Sequence, residues 1–239
     1  MMTTRSRTKQ LTVLAMLSAL AYVIMVFGRI PVLTVPPFLK YDPKDVILVI
    51  GGFIFGPLPV LMMSVVVSFL EMITVSDTGI IGFLMNVLST CAFACTAAYI
   101  YKKIHSLKGA IIGLIVGWIA MAAVMILWNY LVTPIYLASL AHGFSDREAL
   151  SQAVEEMRPM VAKMLIPIFL PFNLLKGGLN AAITMLLYKP VRTGLSKSRL
   201  LPETTDAQTP SKINIGAMLV SVFILVTGIL MILVYQGVI

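Results

Sequence analysis

Lys176 is an amine in the middle of an apolar run, Pro167-IFLPFNLLKGGLNAAITML-Leu187, with no acidic residue within a helical turn of it. An ammonium at the centre of a membrane helix costs about 2.5 to 3.5 kcal/mol on insertion scales, so an intramembrane lysine marks a functional site by default. Asn173 stands three residues before it and Asn180 four after. In a helix the three project from one face, and a polar stripe of this kind faces a cavity or a partner rather than lipid. The competing reading is a lysine that snorkels to an interface or pairs with a structural carboxylate. Two further asparagines, Asn86 and Asn129, also fall inside apolar stretches. Singly, such residues often serve only as hydrogen bonds between helices.

Other reactive residues point elsewhere. Asp42 and Asp45 in YDPKD have a spacing that suits a cation, but a carboxylate beside Pro43 more often caps a helix, and Asp45 is placed to cap the one that follows. Cys91 and Cys95 have no histidine or carboxylate near them in the sequence and read as small packing residues. His105 and His142 lie in separate loops, and no phosphate-binding loop, zinc-protease pair or nucleophile elbow occurs. Intrinsic ATPase or hydrolase chemistry is therefore not expected, and neither a cofactor nor a metal is called for.

These residues need a membrane to position them. Of 239 residues 59% are hydrophobic and 12% charged, too little polar surface for a soluble domain. The net charge of +8 sits in short clusters flanking apolar runs, which assigns it to topology rather than to nucleic acid. Arg5, Arg7 and Lys9 before an apolar stretch resemble a signal peptide, but the stretch continues to Phe27, so it is kept as a helix. The expected fold is an all-α integral membrane protein with six core helices. These are 10–27, a short 46–55, a run from the Gly56-Pro57 break to Ile73, 79–101, 110–136 and 167–188. A seventh, 218–234, follows a polar linker. The division is a basic tail 1–9, a substrate-binding membrane domain 10–192, a linker 193–217 and the extra helix 218–239. Ser145 to Arg158 reads as an interfacial helix capped by Ser145.

Lysines and arginines fall at 5, 7 and 9, at 102, 103 and 108, and at 189, 192, 197 and 199. If six helices cross, all three clusters share one side, which the positive-inside bias makes cytoplasmic. The opposite loops then carry Glu71, Asp77 and the Pro-rich segment 28–46. Asn86, Asn129, Asn173 and Lys176 fall at similar depth below that outer face, which predicts an outward-facing pocket, with Tyr41, Trp128, Tyr130 and Phe172 as candidate walls for a flat ligand. Small residues recur at helix spacing in Ala15-MLS-Ala19, Gly52-FIF-Gly56 and Gly109, Gly113 and Gly117, where helices can approach closely. The last helix carries no polar stripe and is expected to lie beside the bundle without donating to a site.

Three stretches, PPFLKYDPKD, GGFIFGP and PFNLLKGGLNA, stand in the order and topology of a known family over about Thr8 to Arg192. With them the chain resembles the riboflavin-specific S components of the energy-coupling factor (ECF) transporters. The resemblance implies a six-helix, high-affinity vitamin-binding subunit in a bacterial membrane. It would deliver riboflavin to a membrane coupling protein (T component) and two cytoplasmic ATPases. Ala15 and Ala19 match the helix 1 AxxxA motif that docks on the coupling protein, and Asn173 and Lys176 match positions that contact the flavin. Asn129, Asn86, Asn180, Tyr41 and Leu39 complete the expected binding set, since amides can meet the ribityl hydroxyls and apolar walls the ring. The alternatives are an S component for thiamine or biotin, and a membrane enzyme acting on lipid head groups with Asp42 and Asp45 on a metal. The apparent seventh helix departs from the family pattern.

Overall fold

The computed structural model describes residues 4–32, 39–143, 147–198 and 215–238. The first helix, α1 (Thr4–Gly28), leads into a short antiparallel pair, β1 (Ile30–Pro31) and β2 (Lys40–Tyr41). Ile30 stands opposite Tyr41, and the Val32 amide donates to the Leu39 carbonyl at 3.5 Å. This hairpin stem delivers the chain to α2 (Lys44–Phe55). Every residue of α2 from Lys44 to Phe53 is buried, as expected of a helix that is apolar nearly all round. At 12 residues α2 is about 18 Å long, short of the hydrocarbon thickness. It fills one half of the bundle's centre, with α1, α3, α5 and α9 around it.

Gly56, with φ of 95°, takes a backbone conformation that a side chain would strain, and so lets the chain reverse into α3 (Pro57–Thr74). Pro57 at the first helical position loses no hydrogen bond. The next rod joins α4 (Gly79–Thr90) to α5 (Thr96–Lys103) through a π-helical turn, Cys91–Cys95. α6 (Leu107–Leu131) crosses this rod closely: a Cβ on Gly113 would sit 2.7 Å from the Ala97 carbonyl, and one on Gly117 would strike that of Phe93. The small residues of α6 thus permit the close approach their spacing predicted.

Two expected boundaries move. The predicted span 110–136 breaks at Val132, where Pro134 opens a separate helix, α7 (Thr133–His142). The predicted span 167–188 does not begin at Pro167. α8 (Arg147–Met164) runs through a π-helical turn, Leu165–Phe169, directly into α9 (Leu170–Lys197). The altered hydrogen-bond ladder of that turn accommodates a proline without ending the helix. Ser145, the expected cap of this segment, lies outside the described residues, as do residues 199–214 of the expected linker 193–217, whose two ends instead continue α9 to Lys197 and begin α10 at Ile215.

Among the described residues, six stretches are long and apolar enough to cross a membrane: Arg7–Gly28, Pro57–Thr74, Gly79–Lys103, Leu107–Leu131, part of Arg147–Gly194, and Ile215–Tyr235. With the shorter α2, the first five form the expected six-helix core. The last is α10 (Ile215–Tyr235), which packs antiparallel along α9. There Gly228 meets Leu179 and Leu175, while Gly178 meets Ile224.

Candidate substrate-binding site

α9 carries four buried polar side chains on one face: Asn173, Lys176, Asn180 and Thr184. Their spacings of 3, 4 and 4 residues keep them in register with the helical period, so the stripe read from the sequence exists and points inward. The hairpin stem is seated against it. Tyr41 donates from its hydroxyl to Asn180 Oδ1 at 2.9 Å, and Asn180 Nδ2 reaches the Asp42 carbonyl at 3.5 Å. Leu39 and Tyr41 then close an apolar cluster with Phe169, Phe172, Leu175 and Leu179 of α9 and its preceding turn.

Lys176 has a partner that its own helix could not supply. Its Nζ lies 3.9 Å from Asp45 Oδ2 on α2, and Thr90 donates to Asp45 Oδ1 at 2.6 Å. Asp45 is fully buried, and its Oδ2 accepts no hydrogen bond, which leaves that oxygen facing the ammonium alone. This corrects the reading of Asp45 as a cap. Pro43 occupies the N-cap position of α2 with no side-chain cap bond, and Asp42 Oδ1 instead accepts from the Lys44 amide at 2.9 Å.

A second charged group went unread in the sequence. Lys44, almost completely buried, pairs with Asp42 at 2.8 Å and with Glu71, and Glu71 also binds Arg29. Glu71 is therefore not an outer-loop residue. It is buried in the last turn of α3, on the same face as the buried Ser64 and Ser68, a stripe that its own spacing of 4 and 3 residues made available to view. Arg29, Lys44 and Lys176 thus face Asp42, Asp45 and Glu71, three basic groups against three acidic ones. Paired in this way the charges persist; removing one partner of such a pair typically costs about 3 to 5 kcal/mol. By contrast, Lys40 and Asp77, 3.3 Å apart and largely exposed, form a pair of little consequence.

At the hairpin, burial alone would raise the Asp42 carboxyl, but the Lys44 and Lys176 ammonium groups and bonds from Lys44 hold it below its ordinary value. Burial, then the charges of Asp42 and Asp45, push the Tyr41 hydroxyl up, so it remains a donor.

The remaining predicted residues are placed differently. Asn173 donates to the Phe169 carbonyl at 2.7 Å, one turn back on its own chain. Asn129 donates to the Met125 carbonyl and accepts from Thr133, so both ends of its amide are engaged along α6 and α7. Asn86 is half-buried on α4, one turn from Thr90. A small cleft between α4, α6 and α7 is lined by Gly82, Met85, Trp128, Thr133 and Tyr136, and Asn129 meets it through its bond from Thr133. The structure thus joins Tyr41, Asn180 and Lys176 in one cluster and leaves Asn86 and Asn129 outside it, on α4 and α6. Of the aromatic walls, Phe172 is buried, Trp128 lines the cleft, and Tyr130 turns outward. Ala15 and Ala19 are exposed on the outer face of α1, away from α2 and α3.

This fold and site have relatives. The family described as "ECF transporter, substrate-specific component" matches residues 9–188, and the chain belongs to it. The riboflavin transporter FmnP of Bacillus subtilis is 30% identical over 196 residues, covering 81% of this chain and 97% of that protein. The riboflavin transporter RibU of Staphylococcus aureus is 29% identical, over 79% of this chain and 93% of its own. A solved S component of a bacterial ECF transporter superposes with a TM-score of 0.62 at 28% identity, covering 79% of this chain and 98% of that one. The chain is a multi-pass membrane transporter component and not an enzyme, which removes the lipid-modifying alternative. Among the described residues Asp42 and Asp45 face lysines, and no group of three His, Cys, Asp or Glu is placed to hold a metal. α10 lies beyond the matched residues.

Proposed function

We propose that this protein is the high-affinity riboflavin-binding subunit of an ECF importer, taking the vitamin at the hairpin face. The observation that carries the reading is the buried donor stripe of α9 under the hairpin, in a chain whose relatives are named riboflavin transporters. Riboflavin presents carbonyls and ring nitrogens to a lysine or amide donor, and a flat apolar ring to Leu39, Phe172 and their neighbours. Asn173 and Lys176 are assigned to the flavin ring, Tyr41, Asn180 and Leu39 to the closing wall, and Asn129 and Asn86 to the ribityl side. In this reading Lys176 exchanges part of its interaction with Asp45 for the ligand.

The exposed Ala15 and Ala19 supply a smooth face on α1 for the coupling protein, which would link this subunit to two cytoplasmic ATPases. The N-terminus and the lysine-rich loops face the cytoplasm. Purification of the full chain in detergent tests the ligand: flavin absorbance in the purified protein, and titration with riboflavin that thiamine and biotin do not reproduce, are expected. Tight binding of thiamine or biotin without riboflavin would replace the reading. Ala15→Trp combined with Ala19→Trp is expected to keep riboflavin binding and abolish uptake and coassembly with the coupling protein.

A further inference from the structure

The apolar C-terminal helix reaches the site at its far end. Ile232 of α10 is buried in the same cluster as Val32, Leu39 and Tyr41 of the hairpin stem and Leu175 and Leu179 of α9. One turn on, Gln236 Nε2 donates to the Pro31 carbonyl at 2.7 Å. Pro31 pairs with Lys40 in the stem, next to Tyr41, and Tyr41 is the residue that meets Asn180. Three described features therefore form a chain of contact from α10 to the polar stripe of α9.

The stem needs such support. It is two residues long on each side, and an isolated two-stranded pair has marginal stability in water. Pro31 has no amide to donate, so its carbonyl is the one backbone group through which it can hydrogen-bond, and Gln236 occupies it. The α10 to α9 contact is also specific in register. A Cβ on Gly228 would lie 2.5 Å from Leu179 Cδ2, so the glycine lets the two helices approach closely at this register. Seated there, it carries Ile232 and Gln236 to the stem.

We propose that α10 is a positioning element of the binding site, in which Ile232 and Gln236 hold the hairpin stem so that Tyr41 stays engaged with Asn180. The sequence expectation of a helix beside the bundle holds for its location and fails for its isolation from the site. The inference rests on the proposed reading of the α9 stripe as the ligand site, yet its first test needs no ligand.

Amide hydrogen exchange of the unliganded full chain is compared with Gln236→Glu, Ile232→Ala and a chain ending at Ser198. Exchange at Val32, which donates within the stem, is expected to rise about tenfold in the truncated chain and about threefold in each point variant, while core amides of α3 and α5 keep their rates. Gln236→Lys, which retains a donor, is expected to stay near the parent. Riboflavin Kd is expected to rise about fivefold on truncation and about twofold in Gln236→Glu. Unchanged exchange at Val32 in both point variants would overturn the proposal, as would a uniform rise at core amides, which denotes global loosening. If the parent chain binds no riboflavin while the stem still loosens as described, the brace stands and the ligand assignment falls.

Discussion

α9 and α10 lie antiparallel against one another, both long, both apolar, and they use a membrane in opposite ways. α9 buries Asn173, Lys176, Asn180 and Thr184 toward α2 and the hairpin, whereas α10 fully buries only Ser221, Gly228 and Ile232 among its described residues and exposes most of the others. A polar group inside hydrocarbon is expensive enough to announce itself, so α9 was conspicuous. α10 acts by shape and by one amide at its end, and neither stands out from composition. Depth of burial and functional relevance are therefore separate properties here.

The contrast is broken most severely at the charges behind α9. Lys44→Met leaves Asp42 and Glu71 with fewer counter-charges in the interior, and a loss of about 3 to 5 kcal/mol is expected. Thermal unfolding in detergent would show it; a variant as stable as the parent would mean the buried set contributes nothing to the fold. Glycines sharpen the comparison further. Gly177 on α9 faces Trp118 of the core, and Gly228 on α10 faces Leu179. A leucine at 177 is expected to cost about 3 kcal/mol, since core neighbours cannot yield, and at 228 about 1 kcal/mol, since α10 can move outward. Equal costs would make α10 as much a part of the core as α9.

Lys176→Met, which keeps length and removes charge, is expected to weaken riboflavin binding at least about tenfold, or 1.4 kcal/mol. A change below about threefold would assign the lysine to structure through Asp45 alone. The smallest effect is acid sensitivity at the hairpin. Because the Asp42 carboxyl is held below its ordinary 3.8, the stability it confers is fully present above that value and is lost as pH falls through the lower folded one. Stability measured from pH 7 down to about 5 should change little through this group, then fall below about 4, and Asp42→Asn should flatten that fall.

Most of the helix plan was legible because apolar length and proline placement are local signals. The starts at Gly79 and after Gly56, the shortness of α2 and the separate last helix were all readable in this way. Pro134 and Pro167 misled in opposite directions. Pro134 begins a new helix inside an apolar run, and Pro167 is absorbed by a π-helical turn whose existence depends on hydrogen bonding that no spacing reports. The α9 stripe was visible through its period. The Asp45 to Lys176 and Lys44 to Glu71 pairs were not, because each joins helices distant in sequence. The serines and Glu71 on α3 repeat at helical spacing, yet a position near the helix end made a loop assignment easy. Gln236 offered no signal at all, since its partner is a backbone carbonyl 205 residues away.

The short α2 has a consequence for the direction of traffic. Asp45 at its start lies beside Thr90, midway along the α4 and α5 rod, and Gly56 at its end approaches Lys102, at the close of that rod. The half of the bundle below the α9 stripe is thus stoppered by α2 itself. Beneath it Phe53 packs on Tyr101 and Tyr188, with ring centroids 4.5 and 5.3 Å away, and the two tyrosine hydroxyls bond at 2.7 Å. Truncating one such buried aromatic to alanine typically costs about 3 to 5 kcal/mol, so the three rings close this end of the bundle firmly. Among the described residues, a ligand held at the α9 stripe would therefore meet packed rings rather than an opening on the side of Tyr101 and Tyr188, whatever route brings it there.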